Sequence, residues 1–176
     1  MRPMTQDLRS KIQMYIKNNI DISDLIDGVS IKGENLSGAI IKKLSRPGDD
    51  ISGCNLSRAI IGDEGGTVDL NSCIARECSF KETRFNCKLE FRKVDARGSN
   101  FSGAFLAWMS YEYTDFRHCR FCDIVMCIGS IPMKGTKFDS HFFKEIGSAL
   151  GLIITTAPQE PELAVQSKEE ENVIVT

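Results

Sequence analysis

The sequence predicts an all-β solenoid, a coil of very short strands stacked turn upon turn, with a helix at each end. Three observations predict it. Between Ser99 and Ile131 every fifth residue is large and apolar or aromatic: Phe101, Leu106, Tyr111, Phe116, Phe121, Met126 and Ile131. Two positions before most of them stands a small or compact residue, Ser99, Ala104, Thr114, Cys119 and Gly129 among them. A period of five belongs neither to a helix (3.6) nor to a lone strand (2). A short repeat of fixed period implies a solenoid. Thirdly, if the coil is square, four pentads make one turn of about twenty residues, and residues one turn apart are chemically alike.

From Thr5 to about Asn19, Leu8, Ile12, Tyr15 and Ile16 fall on one helical face, with Thr5 as N-cap and Asp7 in the first turn. Residues 1–20 are thus expected to be an N-terminal cap helix that blocks an open β edge. Residues 21–135 form the expected solenoid, starting with a β-type alternation in Asp21–Gly33. The register is clear at Leu36 and Ile41. It blurs at 44–50, where Leu44 stays inward but Arg46 takes a slot meant for a large apolar residue, and resumes at Ile51, Leu56 and Ile61. A break at Gly62–Gly66 reads as the loss of one residue, after which Leu70, Ala75, Phe80 and Phe85 follow. One inserted residue within Asn86–Glu90 shifts the frame to Phe91, Ala96 and Phe101.

Stacked by turns, this frame predicts four inward columns. They are Ile41–Ile61–Phe80–Phe101–Phe121, Ile51–Leu70–Phe91–Tyr111–Ile131, Leu36–Leu56–Ala75–Ala96–Phe116, and Phe85–Leu106–Met126. At the usual strand spacing, about five turns make a rod about 24 Å long. The pattern is expected to stop at Pro132. Residues 136–156 read as a helix capped by Ser140 and carrying Phe142, Phe143, Ile146 and Leu150, then a short strand, both packing on the solenoid. Residues 157–176, with two prolines and a glutamate run, read as a disordered acidic tail.

The triplets Glu-Asn-Leu36, Cys-Asn-Leu56, Val-Asp-Leu70, Ser-Asn-Phe101 and Thr-Asp-Phe116 resemble the A(D/N)LXX signature of the pentapeptide-repeat family. The resemblance covers roughly Val29 to Ile131. It implies a right-handed quadrilateral β-helix in which the Leu or Phe, and the small residue two before it, both point inward.

Composition is ordinary for a globular chain of 176 residues, 41% apolar and 26% charged. No run of about eighteen apolar residues occurs, so no membrane span is expected. The first residues are too polar for a secretory signal, and a cytoplasmic protein is expected. Charge is uneven. Residues 157–176 hold five glutamates against one lysine, a net of −4, which leaves +2 for residues 1–156 from the total of −2. That is not the basic footprint of a nucleic-acid binder.

Seven cysteines are an odd number, and Cys54, Cys73, Cys78 and Cys119 fall in the small inward slot, where cysteine serves as a small hydrophobe. Cys119 and Cys122 form a CxxC beside His118. Cys122 and Cys127, however, belong outside the coil and Cys119 inside, so no shared metal site is expected. Neither His118 nor His141 has a nucleophile and an orienting carboxylate at a recognisable spacing. Gly62–Gly66 lacks the GK[ST] ending of a phosphate loop and reads as a bulge. No catalytic residue, metal or cofactor is expected, and the chain reads as a non-enzyme. An enzymatic reading would need a cleft at the last helix, with only His141, Lys144 and Glu145 on offer.

The expected function is a non-catalytic binding or scaffold protein that presents flat solenoid faces to an unknown protein partner. The alternative, drawn from the family, is a DNA-mimicking modulator of gyrase, which requires a dense negative face. The candidate surface is the outward set Phe105, Ala107, Trp108, Val125, Cys127 and Ile128, a contiguous apolar patch of a kind that soluble monomers seldom leave bare. The C-terminal helix is its first expected cover, giving a monomer; a second copy, giving a homodimer, is the other.

Overall fold

The computed structural model describes residues 1–106, 109–126 and 134–149. Within them the chain visits four parallel ladders in turn. Face A is the five-stranded sheet of β1 (Ile40–Ile41), β2 (Ile60–Ile61), β4 (Arg84–Phe85), β6 (Phe105–Leu106) and β8 (Val125–Met126), in that order. Face D joins β3 (Thr67–Asp69), β5 (Lys88–Glu90) and β7 (Met109–Ser110), with Ser45 bridged to Asp69. Faces B and C are lines of single bridges. Asn35, Asn55, Ser79, Asn100 and Arg120 form face B; Asp50, Ile74, Asp95, Asp115 and Lys137 form face C. The fold is a parallel β-solenoid of very short strands.

Each pentad performs the same local task, and the roles follow from its residues. The large central side chain points inward: Phe80, Phe91, Phe101 and Ile61 are fully buried. The Asn or Asp before it folds its own carboxylate or amide oxygen over the corner. Asn35, Asn55 and Asn100 accept the N–H of Ser37, Ser57 and Ser102, and Asp69 accepts that of Asn71. This is the Asx turn, and it explains why Asn or Asp precedes Leu or Phe so often. Two residues after the central one the backbone turns left-handed. Glycine fills the place at Gly53, Gly98 and Gly103, while Arg58, Glu82 and Lys93 hold φ near +57° there without that freedom.

The small slot two before the centre is more than small. Cys73 donates its thiol to the carbonyl of Arg46 (2.6 Å), Cys78 to Ile51 (3.1 Å) and Cys119 to Ala96 (3.0 Å). Thr83 and Ser99 do likewise with Leu56 (2.7 Å) and Ala75 (2.6 Å). A carbonyl turned into the core is thereby satisfied, so the slot selects small donors as readily as alanine. Burial pushes these thiols up, Cys73 to about 11 and Cys78 and Cys119 to about 12. Cys54 is buried too, and Cys122 lies on the outside.

The ladders correct the expected columns. Ile61 pairs with Phe85, not with a neighbour of Phe80, and Ile41–Ile61–Phe85–Leu106–Met126 is one column. Leu56 accordingly precedes Phe80, Phe101 and Phe121. Ile51 likewise precedes Ala75 and Ala96. The break at Gly62–Gly66 is a four-residue insertion, not a loss of one. In a period of five the two are indistinguishable from the frame alone, and only the pairing tells them apart. Gly62 bends the chain there at φ +88°, its α-carbon close against Cys87.

Arg46 does occupy an inward slot and is 4% exposed. Its guanidinium donates to the carbonyls of Val29 (2.8 Å) and Ile26. The segment expected to alternate as a strand instead contains a helical turn, α2 (Ser23–Ile26), whose carbonyl end that arginine satisfies. Ile22 and Ile26, four apart, are both buried, which suits a helical turn as well as it suits alternation.

The N-terminal helix α1 (Gln6–Lys17) is capped by Thr5, whose hydroxyl accepts Leu8 N–H at 3.2 Å. It buries Ile12, pairs Arg9 with Glu34, and donates from Gln13 to the Asn35 carbonyl. At the other end the stacking continues past Pro132. Lys137 pairs with Asp115, and Phe138 stacks on Phe116 with ring centroids 5.4 Å apart. Helix α3 (Ser140–Ala149) is capped by Asp139, not Ser140, through the N–H groups of His141 and Phe142. The expected strand at 152–156 and the tail at 157–176 lie outside the described residues.

Candidate interaction face

Face A differs from the other faces in what its sequence puts outside. Where face B carries three Asn, a Ser and Arg120, and face C carries three Asp, Lys137 and a single apolar Ile74, the outward residues of face A are Ile40, Ile60, Arg84, Phe105 and Val125. None of these can form an Asx turn. The backbone stays extended instead, and β-branched or aromatic residues favour that. The result is a flat parallel sheet with its outer surface in solvent, whereas parallel sheets are ordinarily covered on both sides. Ile60 is 40% exposed and Val125 55%, with Ile40 and Phe105 half-buried between neighbours.

Arg84 is the single charge in the middle of this stripe. Its guanidinium lies 5.5 Å from the centre of the Phe105 ring and takes part in none of the ion pairs among the described residues, unlike nearby Arg58, Lys81 and Lys88. A cation held against an aromatic ring and lacking a carboxylate is primed to accept one from outside.

The candidate residues from sequence divide accordingly. Phe105 and Val125 are paired directly across β6 and β8. Ala107, Trp108, Cys127 and Ile128 lie outside the described residues. Sequence reasoning missed Ile40 and Ile60 because the misread break put them in a different column, and it passed over Arg84, which already stood in the column of Phe105 and Val125, because that residue is charged. The paired residues Ile40-Ile41, Ile60-Ile61, Phe105-Leu106 and Val125-Met126 were the available signal: each breaks the polar-before-large rule with a second apolar residue, and only Arg84-Phe85 keeps it.

The C-terminal helix does not lie over Val125. Phe142 sits at the end of the phenylalanine column, 4.9 Å edge-on to Phe121 and 3.9 Å from the Phe138 ring, and Phe143 is 49% exposed. Glu145 accepts the N–H of Phe121 (2.8 Å), the thiol of Cys122 (2.9 Å) and a contact from His141 Nε2 (3.0 Å). Helix α3 thus lies at the end of the phenylalanine column and supplies an acceptor to the Phe121 N–H, which pairs with no further strand among the described residues. Of the three residues considered for chemistry, His141 and Glu145 are in contact, with Glu145 also engaged at the ladder edge, and Lys144 is exposed.

On face C, Arg76 and Arg97 both donate to Asp95 (2.7 and 2.8 Å), and Arg117 donates to Asp115 (2.9 Å). These contacts hold both carboxyls below the ordinary range, the hydrogen bonds from Arg97 and Arg117 first among the causes. The face is a self-neutralising ladder. Among the described residues no His, Cys, Asp and Glu group of three or more is placed to hold a metal ion, and no helix is long and apolar enough to cross a membrane.

The structural neighbours of the chain are pentapeptide-repeat proteins. One is a pentapeptide repeat protein from the Arabidopsis thaliana thylakoid lumen, 18% identical, with 61% of this chain covered and a TM-score of 0.28. The match spans 59% of that protein's length. A second is Rfr23 from the cyanobacterium Cyanothece, 16% identical, covering 71% of this chain and 96% of that one at a TM-score of 0.24. A third is QnrB1, a plasmid-mediated fluoroquinolone resistance protein, 15% identical, covering 70% and 86% at 0.23. No family model and no curated protein sequence matches the chain. At these TM-scores the fold assignment rests on the chain's own ladders.

Proposed function

We propose that this chain is a non-catalytic, cytoplasmic pentapeptide-repeat protein that binds a protein partner through face A. In this reading it is a right-handed quadrilateral β-helix of about five coils, with α1 and α3 as its caps. The observation that carries the reading is the exposed stripe Ile40–Ile60–Arg84–Phe105–Val125, apolar, flat and centred on an arginine without an ion-pair partner among the described residues. Apolar area on a rigid sheet supplies affinity, and a lone arginine selects a partner bearing a carboxylate. The inward thiols, raised by burial, are poor nucleophiles, which favours binding over catalysis. The mixed signs of face C speak against the DNA-mimicking alternative, which asks for one sign along the rod.

The test is capture of binding partners from the native host by the full chain in three forms. Wild type and Arg97→Glu, altered on face C, are expected to retain the same partner, while Val125→Glu loses it. Equal capture by all three forms contradicts the reading.

A further inference from the structure

We propose that face A takes an extended peptide segment of its partner that carries a carboxylate side chain against Arg84 and large apolar side chains two residues before and two residues after it. The inference rests on the reading of face A as a protein-recognition surface and adds the chemistry of the segment recognised.

The order of the stripe sets the spacing. Arg84 is the central outward residue, with Ile60 and then Ile40 on one side and Phe105 and then Val125 on the other. Neighbouring coils lie about 4.8 Å apart, so the apolar pairs cover about 5 to 10 Å from Arg84 in each direction. An extended segment laid along the stripe turns every second side chain toward it, at a step of about 6.8 Å. With one such side chain over Arg84, the next on either side falls between Ile60 and Ile40 or between Phe105 and Val125. Apolar, any, acidic, any, apolar is the pattern that matches.

The charge at the centre selects a single carboxylate. The exposed Arg84 guanidinium lies 5.5 Å from the centre of the Phe105 ring, which steadies the planar group and leaves its N–H edge to a bidentate acceptor. Beside it runs a groove of about 330 Å³ whose lining includes Arg58, Ile60, Glu82, Arg84, Gly103 and Phe105. Glycine keeps the groove open, since a Cβ at Gly103 would stand 3.1 Å from Glu82 Cγ. Glu82 is shared by Arg58 (3.7 Å) and Lys81 (3.5 Å), and forms no ion pair with Arg84. Two arginines and one glutamate leave the groove one net positive charge, which suits a carboxylate. A phosphate of nearly two charges would meet repulsion from Glu82. The same centre disfavours a second copy of the chain. Two stripes overlapped about a twofold axis would set Arg84 against its own equivalent.

The experiment titrates the isotope-labelled full chain with the peptide acetyl-Gly-Leu-Ser-Asp-Ser-Leu-Gly-amide and follows methyl and guanidinium signals by nuclear magnetic resonance. Saturable shifts at Ile60, Arg84 and Val125 are expected. Asparagine in place of the peptide's aspartate is expected to weaken binding about tenfold, as is Arg84→Gln in the protein. The two changes should not add: Arg84→Gln is expected to bind both peptides within about twofold of each other. Arg97→Gln, on face C, should bind as wild type does. Moving both leucines next to the aspartate, or replacing the aspartate with phosphoserine, should weaken binding several-fold. A thermal melt by circular dichroism establishes that Arg84→Gln is folded, and the peptide-side changes need no protein variant. No saturable shift on face A, equal affinity for the aspartate and asparagine peptides, indifference to the position of the leucines, or tighter binding of the phosphoserine peptide each overturn the inference. Partner capture that still depends on Val125 would then leave the recognition reading standing without it.

Discussion

Phe101→Ala is the most informative perturbation of the core. The ring is fully buried and lies between Phe80 (4.9 Å, 11° between planes) and Phe121 (5.2 Å, 3°), with Phe91 and Phe116 edge-on at 6.1 and 5.8 Å. Burying an aromatic of about 150 Å² at about 25 cal/mol per Å² is worth roughly 4 kcal/mol. Truncation leaves a cavity as well, and relaxation cannot close it cheaply. The coils above and below are held at strand spacing by Phe80 N–H to Asn100 and Phe101 N–H to Arg120. The expected loss is therefore at the upper end of the Phe→Ala range, about 4–5 kcal/mol. Urea unfolding followed by circular dichroism measures it, with Phe143→Ala as an exposed-site control costing less than about 1 kcal/mol. A loss below about 1 kcal/mol at Phe101 would mean that the phenylalanine column does not exist.

Gly62→Ala is expected to cost at least about 2 kcal/mol by the same assay, because its new methyl would lie 2.0 Å from Cys87 Sγ on a backbone at φ +88°. Arg46→Met removes the donors to the Val29 and Ile26 carbonyls, and a loss of about 2–4 kcal/mol is expected from two acceptors left buried without partners. Acid should destabilise the fold in a defined window. Lys32 holds the Asp50 carboxyl at about 2, and Arg97 holds Asp95 below its ordinary value. A carboxylate with a depressed folded pKa stabilises fully above its unfolded value, near 4, and loses that contribution as pH falls through the folded one. Stability measured from pH 5 to 2 should therefore decline below about 4, and Asp95→Asn should flatten that decline by under about 1 kcal/mol, since the pair is partly solvated.

The period of five was legible at once, because side chains that alternate in and out of a tight coil leave a pattern that no helix can imitate. The inward positions of Phe80, Phe101, Cys78 and Cys119 followed from it directly. What the pattern could not carry is the difference between two offsets that differ by one full period. Four residues inserted at Gly62–Gly66 look like one deleted, so Ile61 was stacked on Phe80, whereas it belongs to the column of Phe85. That slip divided the candidate face, leaving Arg84, Phe105 and Val125 in one column but hiding Ile40 and Ile60 in another. The direction of α3 was illegible for a related reason. Amphipathic spacing shows that Phe142 must be buried, not whether it goes to a face or to an end. The end needs an acceptor for Phe121 N–H, and Glu145 provides it.

The recognition face exists as one surface only if Ile61 stacks on Phe85. Nuclear Overhauser contacts in an isotope-labelled sample test this most directly, because neighbouring parallel strands bring their side chains within about 5 Å. Contacts from the Ile61 methyl groups to the Phe85 ring, with Ile60 and Arg84 in register beside them, are the expected result. Strong contacts from Ile61 to Phe80 across the coil boundary, with none to Phe85, would place Ile60 and Phe105 on different faces and contradict the account.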